Sequence, residues 1–215
     1  KGKIYALVGL AGLLLTVIIF ATTLGSVHIP FSTCFEVLFR PLPFLHITSS
    51  WPETFNTIIL DIRLPRILLA GLVGAALAVA GATYQGLFRN PLADPYLLGV
   101  ASGAGLGATI AFLIPFTFSW MRFGAIPLFA FMGGLGAVAV VYSVARVGKT
   151  LPATTLILAG VALGAFLSSV TSYLMTICGE ELHGIVFWLL GGLSLTKWAE
   201  VRTVLPCVVI GVIVI

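Results

Sequence analysis

Four stretches of the sequence, 4–24, 95–114, 126–145 and 152–177, contain no Asp, Glu, Lys, Arg or His. Each is close to the ~20 residues that an α-helix needs to cross a bilayer core. Lipid gives the backbone no hydrogen-bond partners, so only helices and closed barrels can cross it. A barrel strand would be about ten residues of alternating polarity, whereas these runs are continuous. Composition agrees: of 215 residues, 60% are apolar and 8% charged, against roughly 25% charged in soluble domains. A water-soluble fold of this length could not hide so much apolar surface. A soluble globular protein, a disordered tail and a disulfide scaffold are thereby excluded. The expected fold class is all-α, a polytopic transmembrane helical bundle.

The first span is expected at 4–24, behind Lys1 and Lys3. A cleavable signal has an apolar core of only ~7–15 residues, and this run is longer, with no clear small-x-small cleavage site. Further spans are expected at 65–88, 95–114, 126–145 and 152–177. A sixth begins near Trp198 and is still apolar at Ile215, short of the ~20 residues a crossing needs. Residues 1–215 are therefore expected to be a fragment, five complete spans plus a truncated sixth. Thr33 to Glu36 fits a capping box for a short interfacial helix carrying Phe35, Leu38 and Phe39 and stopped by Pro41. Trp51 suits headgroup depth. Residues 178–197 read as a polar-edged loop with an apolar middle at 185–190. Pro65, Pro95 and Pro152 each suit the first turn of a helix, and Asp94 can cap the helix that Pro95 begins.

Charge does not settle orientation. With the N-terminus inside, five basic residues (Lys1, Lys3, Arg89, Arg146, Lys149) face six outside (Arg40, Arg63, Arg66, Arg122, Lys197, Arg202), so the positive-inside rule favours neither direction. The net charge of +4 fits basic loop ends and implies no nucleic acid. Cys34, Cys178 and Cys207 lack metal-ligand spacing; a bridge between Cys34 and Cys178 stays open, with free thiols the expectation.

The uncharged spans also bear on chemistry. Ion-coupled carriers usually bury ionisable groups at mid-membrane, and intramembrane hydrolases need a nucleophile with a base or a metal. His28, His46 and His183 all fall in loops, and Glu180, Glu181 and His183 read as an ordinary polar loop. No catalytic residue and no metal ligand is assigned. Ser143-x-x-x-x-Gly148-Lys149-Thr150 nearly matches a phosphate-binding loop, but that loop must link a strand to a helix. Here it joins two membrane helices. If ATP powers this protein, the ATPase is another chain.

Small residues recur at every fourth position in three spans: Ala70, Gly74, Ala78, Ala82 and Gly86; Gly99, Gly103, Gly107 and Ala111; Gly160, Gly164, Ser168 and Ser172. Such ladders let helix backbones approach closely and argue for a compact multi-helix body.

The densest pattern is Arg63-Leu64-Pro65-Arg66, then Gly74-Ala75-Ala76-Leu77-Ala78, Gly81-Ala82 and Gln85. Arg89-Asn90-Pro91-Leu92-Ala93-Asp94-Pro95, Leu98-Gly99-Val100 and Ser102-Gly103-Ala104 follow. It closely resembles the iron-chelate, haem and cobalamin permease family of bacterial and archaeal ABC importers. Leu158 to Gly164 and Trp188 to Gly192 look like further landmarks in the same order, and the resemblance runs from about Gly25 onward. It implies about ten spans per full-length subunit, a cytoplasmic N-terminus and residues 1–215 as the N-terminal part of one permease domain. It also implies pairing, as a homodimer or with a related permease subunit. Two cytoplasmic ATPase subunits would bind the ATP and Mg, this chain holding no cofactor of its own. A periplasmic or lipid-anchored binding protein would deliver cargo. The location implied is the cytoplasmic (inner) membrane of a bacterium or archaeon, with multiple passes. The cargo, a siderophore-type iron chelate, haem or cobalamin, is not legible. An ion-coupled secondary carrier and a non-transporting membrane scaffold are the alternatives. Neither accounts for the Arg-x-Pro-Arg and Asn-Pro-Leu-Ala-x-Pro pair.

Residue by residue, cations at a helix start oppose its dipole, so helix stability does not explain Arg63 and Arg66. The resemblance implies that they meet acidic residues of the binding protein, with interfacial anchoring as the plainer reading. Asn90, Pro91, Asp94 and Pro95 read as a rigid turn, since residues before proline avoid the α region. Gln85 is expected to bond a neighbouring helix. On the fifth span, hydroxyls can bond their own helix. The resemblance implies instead a cytoplasmic gate at Ala153, Thr154 and Thr155 and a conduit wall along Gly160, Gly164, Ser168 and Ser172.

Overall fold

The computed structural model describes residues 2–40, 51–91, 93–114, 119–193 and 196–215, with backbone alone at 119–123; Pro41, His46 and Leu92 lie outside them. The helices in chain order are α1 (Gly2–Thr23), α2 (Phe31–Phe39), α3 (Glu53–Asn56), α4 (Leu64–Phe88), α5 (Val100–Leu113), α6 (Ser119–Ala145), α7 (Ala153–Ile177), α8 (Leu182–Leu189) and α9 (Trp198–Val214). A π-helical stretch, Thr57–Arg63, joins α3 to α4, and a 3-10 turn, Pro95–Leu98, precedes α5. Among the described residues four helices are long and apolar enough to cross a bilayer: Gly2–Thr23, Glu53–Phe88, Gly124–Ala145 and Ala153–Ile177.

Four expectations change. The second span is longer than its pattern, because the rod starts at Glu53 and Pro65 sits within it. A proline inside an α-helix clashes with the carbonyl four residues back; the wider π turn just ahead of Pro65 accommodates the ring. The third span is shorter. Gly99, in the left-handed region at φ 73°, divides the 3-10 turn from a 14-residue α5. The capping box does not form: Pro30 is the N-cap, its carbonyl accepting from Cys34 N at 3.1 Å, so Thr33 lies inside the helix. That earlier start places Cys34 and Val37 one turn apart, facing Ile59. Finally, the loop expected at 178–197 contains α8, ended by Gly191 at φ 72°.

The chain divides into two compact units, Lys1–Leu77 with Leu193–Ile215, and Ala78–Gly192. In the first, Ile29, Cys34, Val37 and Ile59 form a buried core, with Leu38, Trp51, Phe55, Ile58 and Leu60 packed around it. The π stretch therefore sits at the centre of this core. Most of α1 is exposed apolar surface, which suits a helix whose neighbour is lipid.

In the second unit α5 is the central element, with Gly103, Gly105, Gly107, Ala108, Thr109 and Ala111 all buried. A Cβ on Gly107 would run into the carbonyl oxygen of Phe129, so α5 and α6 meet backbone to backbone. Ala108, Ala111, Ile126 and Ala130 form the core there, with Phe112, Phe129 and Trp188 around it. The ladder on α5 is thus a packing seam, whereas Ala70, Gly74, Ala78, Ala82 and Gly86 on α4 are all exposed.

Candidate functional site

The second unit contains an open groove of about 680 Å³. Its far wall is α7, through Gly160, Gly164, Ser168 and Ser172, the face expected to line a conduit. Facing it are Tyr96 and Leu97 of the 3-10 turn, Ser102 and Gly105 of α5, and Trp188 and Leu189 of α8. None of the lining side chains carries a charge.

The groove exists because two backbones come close. A Cβ on Gly160 would strike the carbonyl oxygen of Leu97 and come within 2.9 Å of Leu98 Cα. A Cβ on Gly99 would be 3.4 Å from the Gly160 carbonyl oxygen. With no side chains at this crossing, α7 leans on the turn at one end and leaves a cleft further along. Two of the lining hydroxyls bond back to their own segments: Ser102 Oγ donates to the Gly99 carbonyl at 3.0 Å and Thr171 Oγ1 to that of Leu167 at 2.9 Å. The walls therefore offer small, weak contacts and no strong ligand.

The α7 residues that the resemblance grouped together share one side of this groove, and the residues opposite were not part of that expectation. Tyr96 follows directly on Pro95, and Trp188 stands three residues before the left-handed Gly191, so an aromatic beside a chain break was the available signal. Ala153, Thr154 and Thr155 lie outside the groove, in the first turn of α7 after the extended Pro152. Ala153 borders a separate apolar cavity of about 440 Å³ together with Leu98, Tyr142 and Phe88, and Thr154 is exposed.

The 85–95 motif ends α4 and opens the 3-10 turn. Arg89 takes a left-handed conformation at φ 50°. Asn90 N donates to the Gln85 carbonyl at 3.2 Å and Arg89 N to that of Gly86 at 3.3 Å, the bond pair of a Schellman ending. The Gln85 side chain is exposed, and its backbone carbonyl does the pairing. Asp94 Oδ1 accepts from Tyr96 N at 2.8 Å, capping the turn that Pro95 opens.

In the first unit the arginine pair divides. Arg63 is 7% exposed; Nη1 and Nη2 donate to the carbonyls of Thr22 and Val27. A cation on the last turn of α1 satisfies an orphan carbonyl and complements the helix dipole. Arg66, one turn on, is half-buried and lines a cleft of about 270 Å³ with Ser26, Val27 and Ile62. Cys34, Cys178 and Cys207 are free thiols. Burial pushes the Cys34 thiol up, against the pull of the Arg63 charge and the bond to Thr22.

A family model, described as the FecCD transport family, matches residues 13–215. The chain belongs to the FecCD transport family. Among its relatives is the cobalamin import system permease protein BtuC of Halobacterium salinarum, 45% identical over 160 residues, covering 74% of this chain and 42% of the relative. The Fe(3+) dicitrate transport system permease protein FecD of Escherichia coli is 37% identical over 172 residues, 79% of this chain and 52% of the relative. A solved structure described as an inward-facing conformation of a metal-chelate type ABC transporter matches with a TM-score of 0.69. It is 32% identical, covering 94% of this chain and 57% of that one. The chain spans about half the length of the curated relatives it matches. As a FecCD chain with four helices long and apolar enough to cross a bilayer among the described residues, it is a multi-pass membrane helical protein.

Proposed function

We propose that this chain is part of the permease subunit of a binding-protein-dependent ABC importer for an iron chelate, haem or cobalamin. The observation that carries the reading is the uncharged groove walled by α7, in a chain of a family whose relatives are named for cobalamin and ferric dicitrate transport. A bulky chelate would stick to a passage lined with strong ligands; small, hydroxyl and apolar walls let it through when force is applied from outside. Separate ATPase subunits bind ATP and Mg and supply that force, rocking packed helix bodies against each other as in alternating access. Two permease subunits pair, as a homodimer or with a related partner, in the cytoplasmic (inner) membrane of a bacterium or archaeon. A periplasmic or lipid-anchored binding protein docks at the outer end of α4, where Arg66 meets its acidic residues and Arg63 holds the adjacent chain in place. Ala153, Thr154 and Thr155 form the inner gate, and Gly160 to Ser172 the conduit wall.

The test is uptake into vesicles by the full-length protein reconstituted with its ATPase and binding protein. ATP-dependent uptake that Ser168→Trp blocks and Arg66→Glu uncouples from the binding protein is expected. Uptake by the permease alone, driven by a pH or sodium gradient, would overturn the reading in favour of a secondary carrier.

A further inference from the structure

Pro65 and Trp198 meet at one atom, the carbonyl oxygen of Leu60. In the wide pattern of Thr57–Arg63, the Leu64 N–H donates five residues back, to the Ile59 carbonyl. The next bond of that pattern would run from residue 65 to Leu60, and a proline has no N–H. The acceptor is taken instead by the indole of Trp198, whose Nε1 donates to it at 3.0 Å across 138 positions of sequence. A helix carbonyl without a donor is costly away from water, so this one needs a side chain. Pro65 is fully buried and Trp198 half-buried, so the contact is sheltered.

The surroundings are built to hold this geometry. π turns are rare and persist where something compensates for them. Here Ile59, on the same stretch, is fully buried against Cys34 and Val37 of α2. Arg63, at its end, grips the close of α1. On the other side of the bond, the first turn of α9 is fixed by its own cap, Lys197 N donating to Glu200 Oε2 at 2.8 Å. Two locally ordered pieces, far apart in sequence, are joined by one polar bond.

We propose that Pro65 and Trp198 form a latch. The proline keeps the Leu60 carbonyl open to a side-chain donor, and the indole seats the first turn of α9 on it, in one register along the rod. Trp198 is then a positioning residue, acting through α9 rather than on any cargo. The inference rests on the geometry of the first unit and is independent of the importer reading.

Bulk alone and a directed bond are separated by giving the carbonyl a backbone donor. Replacing Pro65 by alanine supplies an N–H on the rod, and Leu60 is then satisfied with or without the indole. The full-length protein is purified in mild detergent as parent, Trp198→Phe, Pro65→Ala and the double variant, and its half-life as monodisperse protein is measured at one temperature. Trp198→Phe should shorten the half-life at least fivefold, and Trp198→His, which keeps a ring N–H, should recover part of it. In the Pro65→Ala background the same Phe change should cost less than twofold. Should Trp198→Phe yield no folded protein, recovery of folded protein in the double variant is the expected result and continued loss the contrary one. An unchanged half-life for Trp198→Phe, or an equal loss with and without Pro65, would overturn the latch.

Discussion

Gly103 of α5 and Gly133 of α6 face each other so closely that a Cβ on either would run into the carbonyl oxygen of the other. In lipid no hydrophobic force drives helices together, so this close approach, with its packing contacts, is what binds the two. The carbonyl oxygens stand where side chains would be.

Gly103→Ala and Gly133→Ala are therefore expected to destabilise the second unit by about 1–3 kcal/mol each, the usual range for overpacking. Gly103→Ala also meets the Ala137 methyl at 2.7 Å. Gly74→Ala, with nothing within 4 Å, meets no clash and should be neutral or stabilising by up to about 1 kcal/mol, alanine being the better helix former. Denaturation in mixed micelles followed by circular dichroism measures all three.

Arg63→Ala removes two charged hydrogen bonds, one to Thr22 at the end of α1 and one to Val27 just beyond it, and at about 1.5–3 kcal/mol per such bond the loss should be among the largest in the first unit. A Cβ on Gly25 would stand 2.7 Å from Arg63 Nη2. Gly25→Ala should consequently destabilise the parent but have little effect once Arg63 is alanine. Protease cleavage between α1 and α2 reports both; equal effects of Gly25→Ala in the two backgrounds would refute the contact.

Cys34 gives a pH signature. Its folded-state thiol is pushed up by burial, above an ordinary value of about 8.5. Below that value both states hold the proton, and the contribution to stability is fully present. As pH rises through it, the unfolded thiol ionises first and stability falls. Cys34→Ala should flatten the alkaline limb of the stability curve.

Gly160→Ala should push the Leu97 carbonyl, and with it Tyr96, off the groove wall. Transport by the assembled importer should drop at least tenfold while the amount of protein in the membrane stays near normal. Ser172→Ala, changing one exposed hydroxyl, should leave transport within about twofold. Vesicle uptake per unit of protein checks both.

The apolar runs made the helices at 4–24, 126–145 and 152–177 legible, because length and lack of charge are local properties. The limits of the second and third spans were not, because each depends on a partner. The π stretch is held by Ile59 against α2 and by Trp198, and Gly99 turns left-handed where α7 packs against it. The α8 helix was hidden for a related reason: it is too short to span and owes its place to Gly184 packing against Phe112 and to the burial of Ile185. For the site, the spacing on α7 argued only for close packing and the family resemblance pointed to this face as a wall, while the facing Tyr96 and Trp188 are joined to it only by folding. Arg63 shows the converse. Its pattern was visible, but its role as a brace for α1 depends on carbonyls some forty residues away.

A helix of 14 residues rises only about 21 Å, some 9 Å less than the hydrocarbon slab of about 30 Å. Ahead of α5 stands the Asp94–Gly99 segment, whose peptide groups are not sealed in a regular α-helix. Oily chains cannot solvate such groups; protein and water must. Backbone of that kind is tolerated at membrane depth only against protein or a water-filled cavity, and Tyr96 and Leu97 of this segment stand on the groove wall.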